Sequence, residues 1–261
     1  LLLGITLIGL FLFLGNVISL GYPYGGSGAK ELASSGFIII MIYLMPFIPV
    51  FATGIIEKKP IFQSLFSFSN RHSIFDDRPT SGIWFLALWW LASCTVLGLC
   101  AWLGQLRAGS SLPGMGTAYS FDWLIFMQLS LGLLAAIVGL SAIGILSSVI
   151  VKNRQTAAAI VLLSIILAFT VFPIMMYQHE SSLNYSWQTA DGPIWQVAYL
   201  CPLTVLSKLS NDWQPGVNYP RLFLPDDMVG VGSILAWGIV TVIILSLASH
   251  LQMRQRGKPH E

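Results

Sequence analysis

The chain has 261 residues, of which 55% are hydrophobic and only 9% charged, and its formal net charge is +2. So much apolar surface exceeds what a single core of this length can hide, which excludes a soluble monomer, and a nearly balanced charge gives no basis for a nucleic-acid partner. Three cysteines, Cys94, Cys100 and Cys201, match neither a disulfide framework nor a zinc-ligand spacing and read as small buried hydrophobes.

Six apolar runs without any Lys, Arg, Asp or Glu follow one another at residues 1–20, 37–56, 83–104, 123–151, 156–177 and 229–249. Each approaches or exceeds the roughly 20 residues a helix needs to cross hydrocarbon, where only structures that satisfy their own backbone survive. The expected fold class is an all-α membrane protein with six transmembrane helices in a single domain over 1–261.

The first run opens on Leu1 with neither an initiator methionine nor a basic segment ahead of it, so an upstream piece is expected. It lacks the charged flank of a signal peptide, and its small-residue cluster at 25–29 lies past its end. In the second run, Pro46 and Pro49 predict a kink or a break, because each removes a backbone donor and crowds the preceding turn. Residues 57–82 follow as a polar segment. Within it Phe62, Leu65, Phe66 and Phe68 can form one apolar face, flanked by Lys58, Lys59, Arg71, Asp76, Asp77 and Arg78.

The fourth run repeats small residues at Gly132, Ala135, Ala136, Gly139, Ala142 and Gly144; Gly132, Ala136 and Gly139 are the candidate helix-packing positions. Its length predicts a strong tilt or an extension beyond the bilayer. Pro173 sits near the end of the fifth run, and residues 178–228 form the longest polar stretch, in which apolar residues around Pro202 recur at helical spacing.

Basic residues divide the loops into two groups. Residues 57–82, 152–155 and the tail hold nine Lys and Arg in short stretches, whereas 21–36, 105–122 and 178–228 hold four in longer ones. The positive-inside rule therefore places both termini in the cytoplasm and the 178–228 loop outside. Tyr22, Tyr24, Trp84, Trp102, Tyr119, Trp123 and Tyr177 lie near run ends, where amphipathic rings favour the headgroup zone.

No ionisable residue lies between run ends, which argues against an ion-coupled transporter or a proton pump. Phosphate-binding, zinc-protease and serine-hydrolase signatures are missing, and His72, His179, His250 and His260 lie in loops or at helix ends. The chain is expected to be no enzyme and to need no cofactor or metal. Any ATP-driven work falls to a partner.

The segment Thr53-Gly-Ile-Ile-Glu-Lys-Lys-Pro-Ile-Phe-Gln-Ser-Leu-Phe-Ser-Phe-Ser-Asn-Arg-His-Ser-Ile-Phe-Asp-Asp-Arg-Pro-Thr-Ser-Gly82 resembles the cytoplasmic coupling loop of type 2 ATP-binding-cassette (ABC) exporter permeases. There an acidic residue is followed by a short amphipathic helix that docks on the ATPase, then by a basic residue and a glycine; Glu57, Leu65, Arg71, Phe75, Arg78 and Gly82 fall near matching places. Ser69-Asn70 stands where that family usually carries Pro-Val. Lys152-Asn-Arg-Gln-Thr-Ala-Ala-Ala159 is similar to the family's basic inner loop, and Tyr199-Leu-Cys-Pro-Leu-Thr-Val-Leu206 to its outer helix.

The resemblance implies one permease domain with ATPase-coupling residues Glu57, Phe62, Leu65, Phe66, Arg71, Phe75, Arg78, Lys152 and Arg154. It implies a cytoplasmic ABC ATPase and a second permease subunit, in a homo- or heterodimer, as partners within the lipid bilayer. A bacterial inner membrane is the expected location. A path lined by neutral side chains such as Asn16, Thr95, Gln128, Ser130 and Thr170 would suit an amphipathic or lipid-like cargo. The rival reading is a non-catalytic scaffold subunit of a respiratory or photosynthetic complex.

Overall fold

The computed structural model describes residues 44–54, 61–66, 79–111, 123–151, 153–171 and 229–256. Among them every regular element is helical: α1 (Phe47–Ala52), α2 (Ile61–Phe66), α3 (Pro79–Ser111), α4 (Trp123–Ile150), α5 (Arg154–Ile166) running into a π-helical turn (Leu167–Val171), and α6 (Val229–Arg256). The first apolar run, residues 37–43 and 55–56 of the second, the 178–228 stretch and most of 57–82 lie outside the described residues.

Among the described residues, three helices are long and apolar enough to cross a membrane: Pro79–Leu99 in α3, Phe126–Ile150 in α4 and Val231–Gln255 in α6, with Arg154–Phe169 a shorter apolar helix. Both α3 and α6 outrun the apolar stretches from which they were expected, to Ser111 and Arg256. Polar residues continue a helix readily once it is nucleated, and Pro79 at the first position of α3 supplies a ready-made helical φ.

α4 is the centre of the described bundle, packed against α1, α3, α5 and α6. Of its span 67% is buried inside the protein, against 50% for α3 and 28% for α6. The core gathers Leu86, Trp90 and Leu97 from α3, Leu133 and Leu140 from α4, Val161 from α5 and Trp237 from α6. On the outside, α6 presents Leu235, Ile239, Val242, Ile243 and Leu247. In water that face would be costly, but against lipid tails it loses nothing, and close packing takes over as the force between helices.

The break expected in the second run is a turn at Met45 and Pro46, closed by a 3.2 Å bond from Ile48 N–H to Met45 O. Pro49 then falls at the third position of α1, where the N–H it lacks would have had no helical acceptor. Aromatic rings brace this short helix on α3: Phe51 stacks against Phe85 at 4.6 Å between centroids, and Phe47 against Trp89 at 5.3 Å. At the end of α5, Leu167 N–H reaches both Leu163 O and Ser164 O before the helix widens.

Candidate functional site: the junction at the basic end

At the end of the bundle that carries Arg154 and Arg254, α1 packs on α3, α4 and α5, and α2 rests on α3 and α6. The junction begins with a deficit in α1, because the chain turns to an extended conformation at Thr53 (φ −117°, ψ 139°), so the last carbonyls of the helix run out of partners along their own axis. Each is accommodated by a different neighbour. The Thr53 hydroxyl donates to Pro49 O at 2.6 Å. Arg154 Nη2, from the first turn of α5, donates to Val50 O at 3.1 Å. Phe51 O lies against Gly82 of α3, where a side chain would collide with it. Ala52 lies against Gly144 of α4, where a Cβ would come within 2.7 Å of both its carbonyl oxygen and its methyl. Glycine is required at both crossings, because only a bare α-carbon lets a neighbouring backbone come so near.

The next amide is also engaged: Gly54 N–H donates to Ser148 Oγ at 3.3 Å, and that hydroxyl donates in turn to Gly144 O at 2.8 Å. Asn153 caps α5 by accepting from Gln155 N–H at 3.0 Å, and Gln255 Nε2 ties α6 to Val149 O at 3.1 Å.

α2 lies across this end. Ile61 and Leu65, four residues apart and so on one face, are buried with Ile83, Ile145, Val149, Leu245 and Ala248. Trp84 Nε1 donates to Leu65 O at 2.9 Å and so satisfies a carbonyl of the last turn of α2. Phe62 is 39% exposed, and Gln63 beside it is also exposed.

Of the residues singled out from sequence, Leu65 is buried and Phe62, at the border of the same side of α2, is exposed, Phe66 ends the helix, and Arg154 opens α5 with its side chain exposed. Glu57, Arg71, Phe75, Arg78 and Lys152 lie outside the described residues. Gly132 and Ala136 are buried on α4, and Gly139 faces the indole of Trp237. Sequence reasoning missed two polar links. Trp84 reads as a belt aromatic yet spends its N–H on α2, and Ser148 is one neutral residue among many until α1 is placed beside it.

The neutral side chains expected along a path divide in the same way. Gln128 and Ser130 are buried on α4, Thr95 is on the exposed side of α3, and Asn16 and the Thr170 side chain are not among those described. Hydroxyls of Ser93, Thr95, Ser130, Ser141, Ser148, Ser164 and Thr241 each donate to the carbonyl four residues back on their own helix. Across helices, Trp90 Nε1 donates to Ser130 O at 2.8 Å. Among the described residues no His, Cys, Asp or Glu cluster could hold a metal ion. Comparison with known protein families, curated proteins and solved structures finds no match to this chain.

Proposed function

We propose that the chain is the membrane-spanning permease subunit of an ATP-driven ABC exporter, with six transmembrane helices, cytoplasmic termini and an external 178–228 loop. It resides in a bacterial inner membrane and pairs with a second permease subunit. A separate cytoplasmic ATPase drives it, and its cargo is amphipathic or lipid-like. The observation that carries this reading is α2: a short helix seated across the basic end by Ile61 and Leu65, bonded to α3 through Trp84, with Phe62 and Gln63 exposed. A helix so fixed passes a push from a soluble partner into α3 and α6, on which it rests. Nine basic residues at the same expected face favour an acidic or mixed-charge docking surface.

The scaffold reading draws on a different observation, the hydroxyls of α3, α4 and α6 that are spent on their own helices rather than turned to a path. One experiment separates the two. The full chain is purified from its native membrane and its stoichiometric companions are identified by mass spectrometry. A P-loop ATPase that copurifies with the parent chain and is lost from Phe62→Glu supports the permease. Cofactor proteins in its place support the scaffold, and an ATPase retained by Phe62→Glu removes α2 as the contact.

A further inference from the structure

α1 cannot hold its own shape. It has six residues, far below the length at which a helix persists unaided. What fixes it comes from other helices. Gly82 and Gly144 contribute only close approach, and Ser148 contributes one neutral bond to Gly54 N–H. Arg154 is different, since its guanidinium is exposed and charged and closes on the exposed Val50 at 3.1 Å, across 104 residues of sequence.

We propose that α1 and the bend at Thr53 and Gly54 form a latch that opens independently of the bundle, and that Arg154 is the positioning residue that keeps it shut. The geometry separates two kinds of restraint. Ala52 and Thr53 are buried and hold α1 to the core, whereas Val50 and Arg154 lie at the surface, where water or a docking partner reaches the bond between them. Loss of that one bond leaves the Val50 carbonyl to solvent and removes the charged restraint on the end of α1, which is then held by the packing of Phe51 on Phe85 and of Ala52 in the core, by the glycine contacts and by the neutral bond to Ser148. The buried core of α4 is untouched by the change. The proposal rests on the permease reading for its purpose, because a latch at the face where an ATPase docks gives nucleotide-driven motion something to release.

The test is hydrogen exchange on the full chain in lipid nanodiscs, comparing the parent with Arg154→Gln. Amides 51–54 should exchange about tenfold faster in the variant, the change expected when a small unit loses one exposed charge-assisted hydrogen bond. Amides 133–140 of α4 should keep their protection, which also shows that the variant is folded. Unchanged exchange at 51–54 overturns the proposal, as does an equal rise across α4. No ATPase takes part in the measurement, so the two readings fail separately: local opening in a chain that captures no ATPase sinks the permease and keeps the latch, and capture without local opening does the reverse.

Discussion

Gly139, at the seam of α4 and α6, and Gly238, on the open side of α6, should answer the same substitution with opposite signs. A methyl added at Gly139 would lie 2.9 Å from Cζ3 of Trp237, closer still to Cε3, and 3.3 Å from Thr241 Oγ1. Carbon atoms settle at about 3.5–4.0 Å, so the ring or the helix must retreat by more than about half an ångström. Trp237 is only 4% exposed and has nowhere to swing, so the retreat falls on the seam itself. With two ring atoms met this closely, overpacking costs about 2–3 kcal/mol, the upper part of the usual range, of which alanine's better helix propensity returns at most about 1 kcal/mol, leaving Gly139→Ala about 1–2 kcal/mol less stable. Gly238 is on α6, and a methyl added there would meet nothing within 4 Å. Gly238→Ala should therefore be neutral or stabilising by up to about 1 kcal/mol. Denaturant titration of both variants in the same detergent micelles, followed by tryptophan fluorescence, reads the difference. If Gly139→Ala proves as stable as the parent, or if both substitutions shift stability in one direction, α4 and α6 do not cross where the structure puts them.

Three further outcomes follow from the same packing. Trp90, wholly buried, gives its N–H to Ser130 O, whereas the buried Nε1 of Trp237 has no hydrogen-bond partner. Trp90→Phe should lose about 1–2 kcal/mol of stability, whereas Trp237→Phe should stay within about 1 kcal/mol of the parent, because relief of an unmet donor offsets lost packing; thermal melting of the pair checks this. Trp84→Phe removes the bond to Leu65 O and should speed amide exchange in 61–66 several-fold while leaving α4 protected. Ile239→Ala and Val242→Ala, on the outward side of α6, should change unfolding free energy in micelles by less than about 0.5 kcal/mol, and a larger loss would reveal a protein neighbour at that face.

Run length and the absence of charge were enough to read α3, α4 and α6, because a stretch that cannot stay in water and must satisfy its own backbone has one structural outcome. Pro46 announced the break ahead of α1, since a missing donor and a crowding ring act locally. In α2 the spacing put Leu65 on an apolar face with Phe62, whereas the structure buries Ile61 with Leu65 and leaves Phe62 exposed, because the position of the neighbouring helices chooses which side of so short a helix is covered. Helix ends were less legible: α6 runs on through Arg254 to Arg256, because propagation is tolerant of charge once a helix exists.

What the amino-acid order determined by itself is therefore the kind of molecule, an α-helical chain whose interior carries neutral side chains and whose charges gather at run ends. Tertiary structure alone decided that Phe51 crosses Gly82, that Ala52 crosses Gly144, and that Arg154 and Ser148 reach the end of α1 from helices about a hundred residues away. The reason is one of range. Hydropathy and backbone hydrogen bonding act within a turn or two of helix, whereas the partner of an orphaned carbonyl is chosen by which helices lie side by side, and many glycines and serines along these runs could have served equally well.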